Sequence, residues 1–128
     1  MKPCEPVHSE AAPAAIGPYS QAVRAGDLVF LSGQIPLDPA TGELVDGDFD
    51  ARVTRVLDNL EAVAGAAGGS LAAAVKCTVY LTDLDRFGAV NAAMEARLTA
   101  PWPARAAVQV AALPKGADVE IDAILRLV

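Results

Sequence analysis

Two hydrophobic periods alternate along this chain. Gln21–Ala25 and Leu28–Ser32 are short β-prone runs on either side of Gly26-Asp27, a dipeptide suited to a tight turn, so they predict a hairpin. Prolines and glycines then crowd the stretch from Pro36 to Gly47, which reads as a surface loop. The period changes after it. Phe49, Val53, Val56, Leu57, Leu60, Val63 and Ala67 recur at helical spacing, with Asp48 as a cap and Gly68-Gly69 as the stop. Between Val75 and Leu81 the apolar residues Cys77, Val79 and Leu81 alternate with Lys76, Thr78 and Tyr80, the signature of a strand with one face buried. A second helix is predicted from about Leu84 to Leu98. It is capped by Thr82 or Asp83, striped by Phe87, Val90, Met94 and Leu98, and stopped by Pro101 and Pro103. Ala104–Val110 and Val119–Leu127 read as the closing strands, joined by Leu113–Gly116. The predicted order is ββαβαββ, an α+β domain whose two helices cover one face of a mixed sheet. Ile124 and Val128 hint that the other face is apolar too, and such a face needs a second subunit.

Composition narrows this picture without changing it. A chain of 128 residues fits one domain, 1–128, and 53% hydrophobic against 20% charged residues excludes a disordered tail. No apolar run approaches the length of a membrane span, and Met1 to Pro13 lacks the apolar segment of a signal peptide. Residues 1–11 read as a flexible arm, and the cytoplasm is the expected compartment. A formal charge of −6 opposes nonspecific attraction to phosphate backbones, so neither nucleic acid nor membrane is an expected partner. Cys4 and Cys77 form no Cys-x-x-Cys pair and no Cys/His cluster, so no metal site or disulfide framework is expected.

The chemistry is narrowed first by what is missing. The single histidine, His8, lies in the arm, and no phosphate or dinucleotide cradle of the glycine-rich kind follows a strand. Arg105 opens an otherwise small, apolar strand directly after Pro101-Trp-Pro103, where a planar guanidinium suits two-pronged capture of a carboxylate or, equally, a structural ion pair or an exposed strand end. Glu120 interrupts the last strand on the face opposite Val119 and Ile121, where an ordinary solvated acid is the plainer explanation. Tyr19, in Ile16-Gly-Pro-Tyr-Ser20, either gates a pocket or sits in a simple chain turn. Ser32-Gly33-Gln34 either lets backbone approach a ligand or marks a bulge. Asn91, on the stripe of the second helix, is read as a structural bond to backbone or as pocket lining, with the structural role favoured. Cys77 is a small buried hydrophobe with no assigned chemistry.

Four segments taken together decide among these readings: Ala15-Ile-Gly-Pro-Tyr-Ser-Gln-Ala-Val23, Leu28-Val-Phe-Leu-Ser-Gly-Gln-Ile-Pro-Leu-Asp-Pro39, Pro103-Ala-Arg105 and Leu113-Pro-Lys-Gly-Ala-Asp-Val-Glu-Ile121. From Ala12 to Val128 the chain resembles the RidA/YjgF family of reactive-intermediate deaminases. That resemblance implies a chorismate-mutase-like fold, assembled as a homotrimer around a central barrel with sites between neighbouring subunits. It implies hydrolysis of 2-imino and 2-enamino acids of the 2-aminoacrylate type to 2-keto acids and ammonia, without a cofactor. By the same resemblance Arg105 binds the substrate carboxylate and Glu120 orients or activates water. Tyr19, Ser32, Gly33 and Asn91 line the cleft, and the backbone amide of Ala107 contributes a contact. Many relatives have a cysteine where this chain has Ala107, and aromatics where it has Met94 and Leu98. Competing readings are a non-catalytic regulatory trimer that binds small carboxylates and a pathway-specific deaminase of the aminomuconate type. A ribonuclease is disfavoured by the acidic balance.

Overall fold

A computed structural model describes residues 3–128. Its six strands are β1 (Glu5–Val7), β2 (Ala22–Ala25), β3 (Leu28–Gln34), β4 (Ala74–Leu81), β5 (Ala104–Gln109) and β6 (Val119–Arg126), and its helices are α1 (Phe49–Ala66) and α2 (Phe87–Arg97). They build an α+β fold on one mixed sheet in the order β1-β2-β3-β6-β4-β5. Every pairing is antiparallel except β4 with β5, which run parallel because α2 carries the chain back between them. The two closing strands are therefore not neighbours: both lie against β4.

The arm expected over residues 1–11 is corrected by β1, which pairs with β2 from Glu5↔Arg24 to Val7↔Ala22 and makes the sheet six-stranded. Met1 and Lys2, part of the same expectation, lie outside the described residues. The arm is held by one buried side chain. Gln21 Oε1 accepts from the Ser9 N–H at 2.7 Å, and Nε2 donates to the carbonyls of Ser9 at 3.0 Å and Pro13 at 2.8 Å. Gln21 precedes β2 instead of opening it, although its backbone carbonyl still accepts from the Ser32 N–H at 3.0 Å. At its other end the hairpin is longer than expected, since β3 continues through a bulge at Ser32-Gly33 to Gln34.

Helix α1 begins as its sequence dictates. The Asp48 carboxylate accepts from the Ala51 N–H at 2.9 Å, and beyond the last turn Gly68 takes a φ of +92°. Its apolar stripe, Val53, Val56, Leu57, Leu60 and Val63, packs on Val29, Leu31, Val79, Val119, Ile121 and Leu125 from the covered face of the sheet. One polar residue shares the stripe: Asn59 is fully buried, accepts from Arg55 Nε and donates to the Leu37 carbonyl, both at 3.0 Å. That bond ties down the loop after β3, where Leu37 and Leu44 also form an isolated bridge. Helix α2 starts later than expected, at Phe87, because Asp83 caps a single 3-10 turn over Leu84–Arg86. The uncovered face carries Leu28, Phe30, Val108 and Ile124 at or near the surface.

Removing the buried Asn59 side chain leaves the part-buried Leu37 carbonyl without its donor, so Asn59→Ala is expected to lower unfolding free energy by about 1–3 kcal/mol. Asp48→Ala removes only a cap, about 1 kcal/mol. Urea denaturation with unchanged slopes is the check; an Asn59→Ala midpoint equal to the parent's would contradict the buried-anchor role.

Candidate active site

The residues singled out by sequence assemble into two groups on opposite faces of the sheet. Register makes this unavoidable. Arg105 lies beside Cys77, and Cys77 beside Ala123, in a row that points to the helices. Glu120 lies beside Tyr80, and Tyr80 beside Val108, in a row that points away from them. Because Val108 is three residues beyond Arg105 on β5, the two rows are also offset by about 10 Å along the strands. One copy of the chain does not bring Arg105 and Glu120 onto the same small molecule.

The first group is organised by α2. Phe87, Asn91 and Met94 fall on one side of that helix and together hold the Arg105 guanidinium. Its Nη1 donates to Asn91 Oδ1 at 2.6 Å and approaches Met94 Sδ at 3.7 Å, while its central carbon stands 4.7 Å from the Phe87 ring centroid. Asn91 thus bonds the arginine, not backbone, which corrects the favoured reading of that residue. Among the described residues Arg105 has no carboxylate partner, so the structural ion pair weighed for it is not formed. The guanidinium faces a cavity of about 400 Å³ that is also lined by Met94, Glu95, Leu98, Trp102 and Pro103. Ala107 shares Arg105's face and is half buried against the core. Its backbone N–H points to the open side of the sheet: β5 is an edge strand, and the Val110 N–H bonds the Leu81 carbonyl at 2.8 Å, so alternation turns Ala107 the other way.

The second group surrounds a cavity of about 530 Å³ lined by Tyr19, Ser32, Gly33, Lys115 and Glu120 among others. Glu120 packs across the bulge in β3. A β-carbon on Gly33 would meet the carboxylate carbon of Glu120 at 2.9 Å, so glycine there makes room for the acid. Ser32 Oγ donates to the Ser20 carbonyl at 2.6 Å and its N–H bonds Gln21 O at 3.0 Å, which fastens the Tyr19 segment to β3. Tyr19 itself is half exposed at the rim. Burial pushes the Glu120 carboxyl above its ordinary value, and the like charge of Asp122 on the same face adds to the rise. Asp122 in turn accepts from the Tyr80 hydroxyl at 3.0 Å, and burial together with this bond raises the tyrosine.

Sequence reasoning missed Phe87 as the platform for Arg105, Trp102 and Glu95 as cavity walls, and the Tyr80–Asp122 pair. The four-residue steps from Phe87 to Asn91 to Glu95 carry the helix-side signal. Cys77 has the inert character expected, since burial lifts its thiol to about 11. Among the described residues no group of three or more His, Cys, Asp or Glu is placed to hold a metal ion, and no helix is long and apolar enough to cross a membrane.

Comparison with known proteins gives one family. A family model described as Endoribonuclease L-PSP matches residues 9–126. Protein DfrA of Myxococcus xanthus is 57% identical over 120 residues, covering 92% of each chain. The 2-iminobutanoate/2-iminopropanoate deaminase of Escherichia coli strain K12 is 48% identical over 121 residues, covering 92% of this chain and 94% of the relative. The crystal structure of RidA from an Antarctic Psychrobacter superimposes with a TM-score of 0.92 at 51% identity, over 96% of this chain and 99% of that one.

The raised Glu120 value has a sign that stability can read. Its contribution to folding is complete below the unfolded-state value, ordinarily 4.5, and is lost as pH rises through the higher folded-state value. Glu120→Gln is therefore expected to be more stable than the parent at neutral pH, with the gain vanishing in acid below the ordinary carboxylate range. Denaturant midpoints at both pH values test this; a gain that persists in acid would assign the effect to something other than ionisation.

Proposed function

The chain belongs to the RidA/YjgF family, and from that membership we propose that it hydrolyses reactive 2-imino and 2-enamino acids to 2-keto acids and ammonia. The observation that carries the proposal is an arginine held ready by three neighbours yet, among the described residues, without an acid of its own. Hydrogen bonds between a guanidinium and a carboxylate are strong, about 1.5–3 kcal/mol each, and the fork geometry fixes the orientation of what is bound. Arg105 takes the substrate carboxylate, with the free Ala107 N–H as a second donor. Water adds at C2 of the imine, the C–N bond of the resulting carbinolamine breaks, and ammonia leaves as the keto group forms. An iminium is electrophilic by itself, so the site's main tasks are to hold the acid and place one water.

Glu120 is the group that orients this water and accepts its proton, and the rise that burial gives its pKa makes it a stronger base than a solvated glutamate. Gly33 clears space for it, and Ser32 and Tyr19 close that side of the cleft. Since Glu120 and Arg105 of one chain face apart, the complete site lies between two subunits, with the open β5 edge of one against the Glu120 group of the next. In this assembly three chains turn their uncovered faces inward as a central barrel, which buries Leu28, Phe30, Val108 and Ile124. The name of the family model suggests RNA cleavage instead, but a charge of −6 weakens any attraction to a polyanion.

Two experiments test this. A 2-imino acid generated by an amino-acid oxidase and trapped with semicarbazide is expected to be diverted to keto acid by the protein. Arg105→Ala is expected to lose about 10²-fold or more, and Glu120→Gln about 10²–10⁴-fold. No diversion by the parent across several side chains would sink the deaminase and favour a carboxylate-binding regulator. Refolding Arg105→Ala together with Glu120→Gln is expected to restore activity, because mixed interfaces pair an intact arginine with an intact glutamate. Failure to complement, with trimers formed, would place both residues in one subunit's site.

A further inference from the structure

The deaminase chemistry uses only the carboxylate and C2 of its substrate, and leaves open what fills the cavity beside Arg105. That cavity has a definite character. Met94, Leu98 and Pro103 give it apolar walls, Trp102 adds an aromatic surface, and Glu95 adds a carboxylate. Met94 and Leu98 are almost fully buried, which makes this wall part of the folded core, whereas Trp102 is half exposed and Glu95 exposed. Among the described residues Glu95 has no basic partner. It follows Asn91 by four positions, so it stands on the same side of α2 one turn, or about 6 Å, beyond the residue that holds Arg105.

An anion receptor and an anion thus stand a helical turn apart, with an apolar wall and an indole lining the space they share. A molecule that matches this order has a carboxylate at one end, a methylene stem, and a cation at the other. Methylene stems of basic side chains lie readily along apolar surface while their charged ends stay near water. A tryptophan face and a carboxylate are two separate attractions for the cation. An acidic side chain would face the Glu95 charge instead. We propose that this cavity is the side-chain subsite, and that it selects 2-imino acids with long, cationic side chains over apolar ones and over acidic ones. The inference rests on the deaminase reading for its substrate backbone. The reaction itself is unchanged: R–C(=NH2+)–COO− and water give R–CO–COO− and NH4+, with the cationic end of R untouched.

Imines made in situ from arginine, leucine and glutamate are the probes. Arginine is the better basic probe, because a primary amine such as lysine's can close on C2 by itself. At low salt, semicarbazide competition is expected to rank arginine over leucine over glutamate. For an exposed pair, Glu95→Gln is expected to lower the arginine-to-leucine ratio by about two- to five-fold. Glu95→Lys is expected to invert the arginine-to-glutamate order. Ratios that neither substitution moves, in protein that turns over all three imines, would overturn the subsite. A parallel calorimetric comparison uses the corresponding 2-keto acids as ligands. If no imine is diverted but the guanidino keto acid binds more tightly than the leucine-derived one, and does so through Glu95, the deaminase reading fails while the subsite stands. Equal binding of the two keto acids overturns the subsite whatever the catalytic result.

Discussion

The alternation of side chains across β4, β5 and β6, with helices on one face only, is the constraint on which the candidate site depends. Once Val79, Ile121 and Leu125 are committed to the core beneath α1, parity leaves Glu120, Asp122 and Tyr80 on the opposite face. The parallel pairing of β5 sends Arg105 to the helix side, where α2 receives it. No local rearrangement could unite the two groups, because a shift of one residue in any strand would expose its entire buried set. The division of the site is therefore a consequence of the core.

Each half is held by interactions that are individually ordinary. On the helix side, a hydrogen bond donated to Asn91 Oδ1 and a ring beneath the guanidinium orient Arg105 without neutralising it, so its charge stays available to a ligand. On the open side, the absence of a side chain at Gly33 lets Glu120 sit against the bulge, where burial opposes its ionisation. Ser32 lines the cavity beside Glu120 and also has a structural task. Ser32 gives its hydroxyl proton to the Ser20 carbonyl, and with Gln21 it forms the polar frame on which the N-terminal segment and Tyr19 are mounted.

Much of the fold was legible. The α1 stripe, its Asp48 cap and the alternation of β4 and β6 all follow from spacing, because a helix or strand with one wet face must repeat its apolar residues at the period of its backbone. What escaped was set by distant partners. Strand β1 contains a proline and too few apolar residues to announce itself, and it forms because Gln21, sixteen positions after Glu5, secures the arm beside β2. The later start of α2 depends on a competition between Asp83 capping a tight turn and the helix beyond it.

For the site, the amino-acid sequence alone singled out the candidates Arg105, Glu120 and Gly33, since these residues in these motifs survive any choice of register. It also determined which strand face each would occupy relative to its immediate neighbours, because parity is a local property. Only the tertiary structure decided what those faces look onto. Strand order placed β5 at an edge with the Ala107 amide free, and helix packing set Phe87 and Asn91 under Arg105. The same packing opened a cavity between Glu95, Trp102 and the arginine. Those contacts join residues many positions apart, and their geometry is fixed by how the core closes, which no local pattern encodes.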